Sequence, residues 1–212
     1  MAGPTLPEGV VTLPRERLDE AVAVLTQAFT DDPLMRYVFA GWDGQITTPL
    51  RTLFHFSCEV RYELDWPLYG IVQGGRLAGV LGVTAVEDKP WPAALSAIYG
   101  DFMATVGPAA ADRFDRYPAL ADPHRPATPN YSVGVIGILP SAQGQGLGRR
   151  LLAVIHALSA AHPTSTGVYL DTENEASKAF YERCGYRTIA HERLDDTVDI
   201  WCLFRPDAAD PR

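Results

Sequence analysis

Gln143-Gly144-Gln145-Gly146-Leu147-Gly148-Arg149-Arg150 decides how this chain is read. Before it, Tyr131 to Leu139 is a strand-like run ended by Pro140. After it, Leu147, Leu151, Val154, Ile155 and Leu158 recur every three or four residues, the stripe of an amphipathic helix that stops before Pro163. Strand, glycine-rich turn and helix in that order favour an anion site. Glycines let the backbone bend closely around a ligand, and free N–H groups at a helix N-terminus, with its positive dipole end, attract phosphate. Arg149 and Arg150 place cations where they oppose that dipole, so either they face an anionic ligand or they are solvated surface charges. The turn fits neither common nucleotide fingerprint. A P-loop needs Gly-Lys-Ser/Thr at its end, whereas Arg149 follows Gly148, and a dinucleotide GxGxxG started at Gly144 meets Arg149 at its third glycine.

Working outward, Leu18, Val22, Leu25 and Phe29 predict a helix from Arg15 to Phe29 that Asp31-Asp32-Pro33 stops. A second helix is predicted from about Thr47 to Leu64. From Leu68 to Val86 the period changes around Gln73-Gly74-Gly75-Arg76, which reads as a β-hairpin. Residues 87–130 hold many of the prolines, with helical stretches at Ala93–Val106 and near Ala109–Tyr117, and read as an insertion between two sheet elements. Beyond the central helix come a strand at Val168–Asp171, a helix at Glu173–Cys184 closed by Gly185, and strands at Tyr186–Arg193 and Val198–Phe204. The expected fold class is α/β in the mixed, α+β sense. It forms one domain over 1–212, with a flexible N-terminus at 1–12 rich in Pro and Gly.

Gln143, Gly146 and Gly148 match the acyl-CoA pyrophosphate motif (Gln/Arg)-x-x-Gly-x-(Gly/Ala), and the chain around them resembles the GNAT superfamily of N-acetyltransferases. The pattern continues through Ile136-Gly137-Ile138-Leu139-Pro140, Leu170-Asp171-Thr172-Glu173-Asn174 and Phe180-Tyr181-Glu182-Arg183-Cys184-Gly185-Tyr186. Ala28-Phe29-Thr30-Asp31-Asp32-Pro33 is similar to the first-helix end of a branch that includes antibiotic-modifying acetyltransferases such as the puromycin type. The resemblance implies a mixed, mostly antiparallel central sheet flanked by helices, with 131–186 as the acetyl-CoA-binding core and 87–130 as a helical insertion before it. It implies acetyl-CoA as co-substrate, met by N–H groups of Ile136, Gly137 and Ile138 and by Gln143, Gly144, Gln145, Gly146, Leu147, Gly148, Arg149, Asn174 and Tyr181. Tyr181 stands where the family usually places its acid.

The residues, read without that family, run parallel to it. Gly134 and Gly137 inside a strand mark a bulge or close backbone approach, to a ligand or to a packed neighbour. Asn174 and Tyr181 lie seven residues, two helical turns, apart on one face. Thr172 with Glu175 has the spacing of a capping box, which would put Asn174 in the first turn, so Asn174 is either a ligand or part of helix initiation. Cys184 reads as a small core residue rather than a nucleophile.

Composition bounds the rest. The chain has 212 residues, 47% hydrophobic and 21% charged, enough for one sizeable core. A net charge of -8 argues against nucleic acid or anionic membrane as partner. The start lacks the charged and apolar regions of a signal peptide, and no segment approaches a bilayer span. Three scattered cysteines and five unpaired histidines predict no metal site and a reducing, cytoplasmic setting. The expected activity is direct acetyl transfer to a primary amine, most simply of a small molecule, by a monomer or homodimer. The rivals are acetylation of a protein N-terminus or lysine, and a non-catalytic CoA-binding regulatory module. Glu87, Asp88, Asp101 and Glu173 all remain possible bases; Trp91, Tyr99 and Phe102, at helical spacing beside Ile98, either pack in the core or, with Tyr117, wall the acceptor side of an insertion that decides which amine is acetylated.

Overall fold

A computed structural model describes residues 5–87 and 89–207. Seven strands form one sheet in the order β1-β2-β3-β4-β5-β7-β6. They are β1 (Val10–Thr12), β2 (Leu68–Gln73), β3 (Arg76–Thr84), β4 (Tyr131–Ile138), β5 (Gly167–Thr172), β6 (Arg187–Leu194) and β7 (Val198–Pro206). Every neighbouring pair is antiparallel except β4 and β5. One face carries α1 (Leu18–Ala28), α2 (Pro33–Val38), α3 (Thr47–Glu63) and α4 (Ala93–Ala121); the other carries α5 (Leu147–Ala161) and α6 (Glu175–Glu182). This is the α/β architecture expected from the order of periodic segments. Alternation along each strand feeds both cores: Leu170 joins the cluster under α5, while Tyr169 joins the one under α1 to α4.

Three expectations change. Val10–Thr12, placed in a flexible start, pairs with Ile71, Gly70 and Tyr69 as an edge strand. Asp31-Asp32-Pro33 does stop α1, but it also begins α2, because the Asp32 carboxylate accepts from the Met35 N–H at 3.1 Å and Pro33 supplies a preset φ at the first helical position. The two helical stretches of the insertion join as α4, bent where Gly107 takes φ 75°, ψ 166°, a conformation essentially confined to glycine.

The feature that makes a cleft is the loose β4–β5 pairing. These strands share only Tyr131↔Val168 and Ser132↔Tyr169 and then part. On β4, Val133 pairs with Val83 and Val135 with Gly82, so Gly134 is the extra residue of a bulge. Downstream of the bulge, the β4 edge facing away from β3 has no strand beside it, and its polar backbone is available to a ligand.

Candidate active site

The parting of β4 and β5 opens a cleft of about 710 Å³ that runs from the end of α1 to the first turns of α5 and α6. Ile136, Gly137, Ile138, Gln143, Gly144, Gly146, Leu147, Gly148, Arg149, Asn174 and Tyr181 all line it, so sequence-distant residues singled out above come together. Gln145 does not. Its side chain turns out toward the β2–β3 hairpin, where Oε1 accepts from Gln73 Nε2 at 2.5 Å.

Two glycines in the turn have positive φ, 76° at Gly144 and 77° at Gly146, with open space where a Cβ would stand. Conformation, not crowding, therefore selects glycine there. Gly146 is the N-cap of α5 with no side-chain cap, so the first amides of that helix face the cleft unshielded. The strand glycines answer to packing. A Cβ on Gly134 would lie 1.7 Å from buried Arg61 Nη2, and one on Gly137 would lie 2.9 Å from Ala28 Cβ of α1.

Asn174 is the N-cap of α6 rather than a first-turn residue: its Oδ1 accepts from the Ser177 N–H at 3.1 Å. The capping box with Thr172 does not form because α6 starts at Glu175, so Asn174 lines the cleft and caps at once. Tyr181, one α6 face further on, is nearly buried against Phe180 and Tyr186 while still lining the cleft. Burial first, then the charges of Glu173 and Asp171, raises its pKa, so the phenol keeps its proton across the neutral range. Cys184 is half-buried and its thiol pKa is raised by burial, the opposite of an activated nucleophile.

Among the residues considered as bases, Glu87 pairs with His162 Nε2 at 2.8 Å and Asp101 is exposed on α4; neither lines the cleft, and Asp88 lies outside the described residues. Glu173 does not line the cleft either, but it is buried close behind it, within reach of Asp32 and Tyr181. Its Oε1 is buried with no hydrogen-bond partner, and burial, followed by the charges of Asp171 and Asp32, raises its pKa. Asp171 on β5 is raised by burial too, as is the cleft-lining Asp32. The sequence reading did not place Asp32 in the cleft or Asp171 beside Glu173. The usable signal was alternation: Asp171 and Glu173 sit two apart and share the side of the sheet that holds Tyr169.

The expected aromatic wall is largely absent. Phe102 is fully buried between Phe56 and Phe114, Tyr99 packs on both Phe56 and Phe102, and Trp91 is 53% exposed against Phe56, away from the cleft. An i, i+3 pair of aromatics serves a core as readily as a site. Trp91→Ala is therefore expected to leave the KM for any acceptor unchanged within twofold, read from initial rates. Tyr117 alone of the four reaches the buried carboxylates, where its hydroxyl donates to Asp171 Oδ2.

A split sheet with a glycine-capped helix at its fork is the arrangement that the resemblance to GNAT acetyltransferases led us to expect. Residues 105–188 match the family model for the acetyltransferase (GNAT) domain. The chain carries a GNAT acetyltransferase domain. It is 42% identical over 57 residues to a mycothiol acetyltransferase of Streptomyces griseus, a match spanning 26% of this chain and only 19% of that protein. It is 29% identical over 140 residues to the N-alpha-acetyltransferase RimI of Mycobacterium tuberculosis, covering 59% of this chain and 81% of that one. In three dimensions it is similar to a crystal structure described as histone acetyltransferase HPA2 and related acetyltransferase from Corynebacterium glutamicum. There the TM-score is 0.66 at 22% identity, with 96% of this chain and 98% of that chain covered. Among the described residues, no helix is long and apolar enough to cross a membrane.

Proposed function

We propose that this protein moves an acetyl group from acetyl-CoA to the primary amine of a small molecule by direct transfer. The observation that carries the reading is the convergence of the Gly146 helix N-terminus, the unpaired edge of Ile136–Ile138, protonated Tyr181 and Asp32 on one cleft, with the buried carboxylates Asp171 and Glu173 close enough behind it for their charges to act on Tyr181. In this reading the pyrophosphate rests on the amides of 144–148 with Arg149 beside them, and the pantetheine arm runs along β4 to the fork. The β4 N–H groups face the thioester oxygen as it takes up negative charge.

An amine reaches neutral water largely as an ammonium ion and cannot attack until it gives up a proton. The Asp171–Glu173 pair accepts it, and the raised pKa of these carboxylates brings their basicity closer to neutral pH than an ordinary carboxylate. The nitrogen lone pair then attacks the carbonyl carbon, the nitrogen gives up its second proton to solvent, the C–S bond breaks, and the thiolate takes the Tyr181 proton. A proton passed on from the carboxylates through solvent restores the phenol. No thiol of the chain enters the sequence, consistent with the elevated pKa of Cys184.

A small acceptor is favoured over a protein N-terminus because the acceptor side is bridged. Asp195, in the β6–β7 turn, accepts from Tyr37 Oη of α2 at 2.6 Å and from Arg116 Nη1 of α4 at 2.8 Å. Each contact is exposed and weak alone, but together they tie α2 and α4 to the β6–β7 turn, and in this reading that bridge stands in the way of an extended peptide. Similarity to both a mycothiol acetyltransferase and an N-alpha-acetyltransferase keeps both acceptor classes in the test. Thiol release from acetyl-CoA should be measured with small primary amines and with peptides bearing free N-termini. Turnover of peptides alone would overturn the small-molecule reading, and no turnover with intact CoA binding would favour a regulatory module.

Glu173→Gln separates chemistry from stability. Removing a base that works in concert with Asp171 should lower kcat/KM by roughly 100-fold. A carboxyl whose pKa is raised by folding binds more protons folded than unfolded, so its cost is absent below the unfolded pKa and grows as pH rises through the interval up to the folded pKa. The neutral amide should therefore raise stability at pH 7 by on the order of 1 kcal/mol, about 2–4 °C in Tm, and by less at pH 4. A Tm that falls at pH 7 would contradict an unpaired, buried Glu173.

A further inference from the structure

One face of the second half of α4 is built to hold a single geometry. Arg113 Nε donates to Val38 O at 2.8 Å and its Nη2 to Ala40 O at 3.0 Å, Arg116 Nη1 reaches Asp195, and Ala121 O accepts from Tyr169 Oη at 3.0 Å. These residues follow helical spacing, so one rod is fastened to the end of α2, to the β6–β7 turn and to β5. In the middle of that face stands Tyr117, with its hydroxyl on Asp171 Oδ2. The other groups facing Asp171 are Glu173 just past the end of its strand, Tyr181 from α6 and Cys202 from β7, while Asp32 from the α1–α2 turn acts on Glu173 and Tyr181. None of these brings a positive charge.

We infer that Tyr117 is a positioning residue of the acceptor side: its phenol O–H holds Asp171 in one rotamer and in the ionised form, so that the carboxylate is ready to take the proton of an incoming ammonium. A donor to an ionised carboxylate favours the charged form and lowers its pKa. Without it, Asp171 faces only a carboxylate, a phenol and a thiol, and its proton affinity rises further. The segment that delivers Tyr117 thus completes the acceptor site from the far side of the fold, whereas its Phe102 and Phe114 pack in the core. This inference rests on the acetyl-transfer reading, and its test has one arm that does not.

The substitution is Tyr117→Phe, which keeps the ring in place. With the best small amine of the panel, the acid limb of kcat/KM against pH should move up by about one unit, a roughly tenfold loss below the limb, with less than about threefold change on the plateau. A merely structural role would lower the profile equally at every pH, and that result, or an unmoved limb, would overturn the inference. The arm independent of turnover is a carbon-13 titration of the Asp171 carboxyl in wild type and variant. An upward shift of its midpoint in Tyr117→Phe is expected; identical midpoints would overturn the assignment even if transfer is active. A shifted midpoint in a protein that acetylates nothing would leave the Tyr117–Asp171 link standing and remove the acetyl-transfer reading. Arg113→Lys, which disturbs the same helix face without touching Asp171, should leave both the limb and the midpoint where they are in wild type.

Discussion

Calorimetric titration of Gly146→Glu with CoA is expected to show affinity reduced by 100-fold or more, against a normal isotherm for wild type. Two separate costs add at this position. A side chain held at φ 77° loses about 1–2 kcal/mol to left-handed strain, and a carboxylate at the mouth of the α5 amides repels the anion proposed to sit there by several kcal/mol more. At 1.4 kcal/mol per tenfold, the sum exceeds a factor of 100. Gly146→Ala divides the two: it carries the strain without the charge and should lose about tenfold. Because a Cβ at 146 meets nothing within 4 Å, neither variant disturbs a core, and circular dichroism should be unchanged. Full CoA affinity in folded Gly146→Glu would remove the turn from the site.

Tyr181→Phe carries the second large effect. The ring stays packed between Phe180 and Tyr186, and only the proton is lost. Thiol release should fall roughly 10- to 1000-fold in kcat while CoA affinity stays within a few fold, because the missing interaction belongs to the departing thiolate. The raised pKa of Tyr181 is compatible with this role. A thiolate formed against the buried Tyr181 ring loses solvation as the phenol does and is more basic than in water, so donor and acceptor move together. It also places the loss of the phenol proton far into the alkaline range, so the wild-type profile should show no basic limb from Tyr181 below pH 10. A wild-type rate in Tyr181→Phe with a good acceptor would reject the role.

Much of the half of the cleft proposed to hold the cofactor could be read from residues, because its physics is local. Gly144 and Gly146 announce a turn, the stripe from Leu147 announces the helix behind it, and the seven-residue interval from Asn174 to Tyr181 puts both on one helix face. The acceptor half was hidden for reasons just as physical. Reading α6 from Glu173, two residues before it begins, concealed that Asp171 and Glu173 leave the sheet on the same side. Six-residue α2 is too short to show a period, so Asp32 read as a stop signal and not as a cleft carboxylate. Trp91 and Phe102 carried the right chemistry for a wall, but which side of an amphipathic helix faces a site and which faces a core is decided by α3, 40 residues away in sequence. The Tyr117 contact spans 54 residues, and no spacing rule reaches that far.

The bend at Gly107 turns the second half of α4 into a lever. Tyr117 lies ten residues beyond it, about 15 Å along a helix rising 1.5 Å per residue. A swing of about 10° at that elbow carries the phenol about 2.6 Å sideways, more than a hydrogen bond tolerates. Any residue other than glycine at 107 must leave φ 75°, ψ 166°, and so would re-aim the arm while β4, the 143–148 turn and Tyr181 stay where they are. One backbone torsion outside the cleft thus sets what stands opposite Asp171. The chain can change what it meets on that side without altering the half of the cleft proposed to hold the thioester.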